Sequence, residues 1–120
     1  DIEYQTYGWV SSDRNKKDYE KHFHWRHSKD YKCVTIAYDT NTNKFLGINT
    51  FGIRMRHAIV DLWLTEERDI FYVLAHLADA NFDPEFYKTH EADIVAQFNV
   101  ENNTNIVLKR TSWKRIFTKA

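Results

Sequence analysis

The chain has 120 residues, which reads as one domain able to bury roughly two thirds of the surface it exposes when unfolded. Lys plus Arg and Asp plus Glu number 17 each. The resulting zero formal charge argues against nucleic acid or an anionic membrane as the main partner, since both call for a positive excess. Cys33 is the only cysteine, so there is no disulfide framework and no Cys-x-x-Cys pair.

In chain order, Ile2 to Val10 reads as a strand rich in Ile, Tyr, Thr, Trp and Val that stops at Ser11-Ser12. The polar stretch to Tyr19 suits a short helix capped by Ser12. Three strand-like runs follow. His22 to His27 alternates with Phe23 and Trp25 on one face. Tyr31 to Tyr38 alternates with Val34, Ile36 and Tyr38 opposing Cys33, Thr35 and Ala37. Lys44 to Phe51 is the third, reached through Asp39-Thr40-Asn41-Thr42-Asn43. Asn and Asp tolerate left-handed backbone angles and bond to their own backbone, so this run is a turn and its flanks a β-hairpin. Asp30 marks another tight connection.

The period then changes. Met55, Ile59, Leu62 and Trp63 fall on one face of a helix opened by Arg54, Arg56 and His57. Ile70, Val73, Leu74 and Leu77 repeat the pattern in a second, short helix capped by Asp69. A third helix is expected from Asp83-Pro84-Glu85 to about Phe98, with Tyr87, Ile94 and Phe98 facing inward. There Asp83 suits the N-cap, Pro84 the first helical position and Glu85 the dipole. Ile106 to Phe117 is left open as strand, short helix or mobile end. Strands precede helices, so the expected class is α+β, an antiparallel β-meander packed against helices, with the domain over 1–98 and a tail over 99–120.

The chemistry in the sequence is sparse. His22 and His24 share a strand face and two imidazoles can chelate, but spacing supplies no further ligand, and a polar strand face is the simpler reading. Cys33 sits mid-strand as a small, buried or half-buried residue rather than in the electropositive site a reactive thiol needs. Gly47 and Gly52 bracket Ile48-Asn49-Thr50-Phe51 without forming a dinucleotide fingerprint or a phosphate loop. A glycine such as Gly47 inside a strand marks close approach of another backbone. Basic residues at the start of the first helix oppose its dipole, and they are either solvated or face an acidic surface or a phosphate. Asn102-Asn103-Thr104 fits a glycosylation pattern but has no secretory context.

Lys44-Phe45-Leu46-Gly47-Ile48-Asn49-Thr50-Phe51-Gly52, preceded by Val34-Thr35-Ile36-Ala37-Tyr38-Asp39 and a polar turn, carries a resemblance. With two helices and the proline-opened segment Asn81-Phe82-Asp83-Pro84-Glu85-Phe86 behind it, this order resembles the C-terminal dimerisation domain of the pyridine nucleotide-disulfide oxidoreductases over about Ile2 to Phe98. The resemblance implies a subunit-contact domain that forms a homodimer. It also implies a parent enzyme using FAD and NAD(P)H, with N-terminal FAD- and NAD(P)-binding domains on the same chain. The isolated domain is expected to catalyse nothing and to bind neither cofactor tightly.

In that family a His-Pro segment reaches the partner subunit's flavin site, and its histidine serves as acid/base with a downstream glutamate. Here Pro84 matches the proline, but Asp83 stands in the histidine position and Lys88 in the glutamate position, so that role is not carried over. Asp, with a reference pKa of about 4, is a poor proton carrier at neutral pH. The start at Asp1 rather than Met reads as an excised piece of a longer chain. There is no long apolar run and no signal-peptide pattern, so no membrane is expected and the expected location is cytoplasmic. The alternative reading is a free-standing α+β domain that binds a small ligand between sheet and helices, with strand Tyr, Trp and His side chains as lining.

Overall fold

The computed structural model describes residues 4–10, 18–27, 29, 31–80 and 90–109. Four strands form one antiparallel sheet: β1 (Tyr4–Gly8), β2 (Glu20–Arg26), β3 (Cys33–Asp39) and β4 (Phe45–Phe51). Their order is β1-β4-β3-β2, so β2, β3 and β4 make the meander and β1 returns to pair with the last strand. Three helices follow, α1 (His57–Thr65), α2 (Ile70–Ala75) and α3 (Glu91–Asn102), with a 3-10 turn at Leu77–Ala80 after α2. Strands and helices are thus segregated along the chain, an α+β arrangement.

The β3–β4 hairpin closes as its residue types dictate. The Asp39 carboxylate accepts from the Asn41 nitrogen at 2.7 Å and the Thr42 nitrogen at 3.0 Å. Asn43 takes the left-handed angle (φ 64°) that returns the chain. A bulge follows, in which Ala37 pairs with Gly47 but Tyr38 pairs with Phe45. The extra residue in β4 resets its alternation, so Phe45 joins Ile48 on the covered side of the sheet. Its ring meets Trp63 of α1 edge-on at 6.1 Å.

That covered side carries the core. Phe23, Trp25, Val34, Ile36, Tyr38, Ile48 and Tyr7 are buried against Val60 and Trp63 of α1, Ile70, Val73 and Leu74 of α2, and Ile94, Val95 and Phe98 of α3. Each large side chain so buried contributes about 1.5–3 kcal/mol over its exposed state. The aromatic rings fill the layer between sheet and helices, with Phe98 edge-on to Phe23 at 5.2 Å. The Trp25 and Tyr38 side chains offered as pocket lining in the ligand-binding alternative are therefore core.

Several helix expectations shift. Met55 is buried but precedes α1, whose buried residues are Val60 and Trp63, with Ile59 and Leu64 packed alongside. Arg54 lies ahead of the helix and Arg56 is its N-cap position, so of the three basic residues only His57 is helical. Asp69 caps α2 as its residue type predicts, its side chain accepting from the Tyr72 nitrogen at 2.8 Å.

Among the described residues the third helix spans Glu91–Asn102, with His90 at its N-cap position. Glu91 and Asp93 place negative charge in its first turn, where the dipole favours it. It also runs past Phe98 to Asn102 and stops where Asn103 turns left-handed (φ 53°, ψ 50°). Beyond it, the Asn99 side chain mimics a strand partner for Ile106, accepting from its nitrogen at 2.9 Å and donating to its carbonyl at 2.9 Å. The Lys109 nitrogen donates to the Ala75 carbonyl at 2.7 Å. Residues 104–109 thus lie against the domain without regular secondary structure, and Ile106 and Leu108 pack on the core. The short helix at Ser12, the Asp30 connection, Asp83, Pro84, Tyr87 and Lys88 fall outside the described residues.

Candidate functional site

The register assigns residues to the face of the sheet opposite the helices. One cross-strand row is His22, Ala37, Gly47 and Gly8; the next is His24, Thr35, Asn49 and Thr6; then come Arg26, Cys33 and Phe51. At the Gly47 end of the first row, backbone passes close over the sheet. A Cβ on Gly47 would stand 2.5 Å from the Trp9 nitrogen and 2.7 Å from the oxygens of Trp9 and Tyr7. Close backbone approach is therefore why glycine occupies this strand position. Gly52, at the far end of β4, has φ 76°, and a Cβ there would lie 2.6 Å from the Tyr31 carbonyl. Both glycines act on structure: they hold β4 against the ends of the neighbouring connections.

The polar residues of this face behave differently from one another. His22 Nε2 lies 2.6 Å from Glu20 Oε2, with side-chain exposures of 5% and 1%. An acid buried this deeply is stable only when partnered, and Glu20 has a further interaction besides His22. His24 is exposed, and its Nδ1 contacts the Thr35 hydroxyl at 3.0 Å. The two imidazoles sought as a chelating pair do share the face, with ring centroids 5.9 Å apart and nearly perpendicular. Each is turned to its own hydrogen-bond partner, and among the described residues no three His, Cys, Asp or Glu side chains converge. Cys33 is half-buried on the same face. Among the described residues the buried Asn49 Oδ1 atom finds no hydrogen-bond partner.

A second grouping forms on the helix side, where β2 ends beside the start of α3. Trp25 Nε1 donates to Asp93 Oδ2 at 2.7 Å, joining positions 68 apart in sequence. The His90 ring lies 5.4 Å from Trp25 and 4.9 Å from His27, edge-on to the latter. Lys32 Nζ stands 3.5 Å from His90 Nε2. An ammonium can only donate, so that contact uses the ring lone pair and puts the neutral imidazole's proton on Nδ1. His27 Nδ1 accepts from the Lys29 nitrogen at 3.1 Å, which leaves the neutral ring's proton on Nε2. The two imidazoles thus stand next to an indole and a carboxylate: Trp25 comes from β2, His27 and Lys32 from the β2–β3 connection, His90 from the N-cap position of α3 and Asp93 from its first turn.

Pattern reading overlooked this grouping. Nothing in the local spacing of Trp25, His27, Lys32 and His90 signals it, because the sheet and α3 bring them together only in the folded chain. Of the basic residues around the start of α1, His57, its first residue, sets its ring edge-on to Tyr7 at 4.8 Å, while Arg54 and Arg56 are engaged within the molecule. No described helix is long and apolar enough to cross a membrane.

Comparison with protein-family models, with curated proteins and with solved structures finds no match for this chain.

Proposed function

We propose that this chain is the dimerisation domain of a flavin-dependent pyridine nucleotide oxidoreductase, acting through subunit contact rather than chemistry of its own. The observation that carries the reading is the arrangement around β4. This strand pairs with both β3 and β1, its Gly47 admits the chain leaving β1, and the described helices pack on the face that carries the core. The other face keeps His24 and Arg26 exposed, with Thr35, Asn49 and Phe51 half-buried, and Trp9 stands 51% exposed in the chain that leaves β1. In the proposal a second copy of the chain packs on this face. FAD and NAD(P)H belong to N-terminal domains of the parent chain in the cytoplasm.

A filled core weighs against the small-ligand alternative, since the strand aromatics that would line a pocket pack on helices instead. Asp83 beside Pro84 leaves the parent without the histidine of the disulfide reductases at that position, so the reading does not include thiol-disulfide acid/base chemistry at Asp83. Expression of the full-length reading frame tests the assignment. The product should purify with a flavin absorption band and oxidise NADH or NADPH, while the 120-residue chain retains neither cofactor. A colourless full-length product that binds no nucleotide contradicts it.

A further inference from the structure

We draw no further inference here: the strongest candidate, the Trp25, His27, Lys32 and His90 cluster beside the start of α3, rests on a helix N-terminus with no second observation pointing to a ligand, because His27, Lys32 and His90 are already engaged within the molecule and the Glu91 and Asp93 carboxylates stand in the same helical turn.

Discussion

A methyl group on Gly47 would meet backbone atoms of Tyr7 in β1 and of Trp9 just after it, with no flexible side chain there to yield. Gly47→Ala must therefore push the end of β1 away from β4. Overpacking of this kind costs about 1–3 kcal/mol, and the upper end is expected because three backbone atoms lie within 2.7 Å. Urea denaturation of the variant measures it; a loss below about 0.5 kcal/mol would show that the strand end adjusts freely. Close approach at Gly47 was legible in the sequence as a glycine inside a strand. The buried Glu20–His22 pair was not, because alternation says which face a residue takes but not what covers that face.

Among the elements, the hairpin and the α2 cap were readable because their chemistry is local: Asp39 serves its own turn, and Asp69 its own helix. The bulge that turns Phe45 inward was not, since strict alternation cannot place Phe45 and Ile48 on one side. The helix start expected at Asp83-Pro84-Glu85 lies outside the described residues; among these, α3 spans Glu91–Asn102 behind the N-cap position His90. Its end makes a prediction. Asn103 holds a left-handed angle that glycine adopts without penalty and alanine does not. Asn103→Ala should lower stability by about 1 kcal/mol and Asn103→Gly should match or exceed the parent. Equal thermal midpoints for the two variants would contradict the left-handed stop.

Lys44 of the hairpin and Glu67 after α1 are joined by a 2.8 Å bond. The hydrogen bond from Lys44, then its charge, holds the Glu67 carboxyl below its ordinary 4.5. The same bond and charge, in that order, hold the Lys44 ammonium above its ordinary 10.5. The carboxyl's contribution is therefore full above 4.5 and lost as pH falls through its lowered value. The ammonium's contribution is full below 10.5 and lost as pH rises through its raised value. Both groups are exposed, so salt weakens the pair. Glu67→Gln should lower the urea midpoint slightly at neutral pH and low salt, with the gap closing at low pH and in high salt. A gap that persists at low pH would assign the effect to something other than this ion pair.

For the whole molecule, the segregation of strands from helices was legible as a change of hydrophobic period, and the sheet with its helix layer follows from it. Strand order was not, because pairing of β1 with β4 joins the two ends of the strand region. The Trp25–Asp93 bond and the His27–His90 contact likewise exist only once α3 docks on β2. The zero formal charge leaves little repulsion against self-association, and in the proposed dimer the exposed Trp9, His24 and Arg26 belong to the surface that the second copy would cover. Sedimentation equilibrium of the 120-residue chain, with a Thr35→Arg variant run alongside, tests that claim directly. The account predicts a concentration-dependent mass approaching twice 14.4 kDa for the parent and a folded monomer for the variant. A parent that stays at 14.4 kDa at the highest attainable concentration would contradict it.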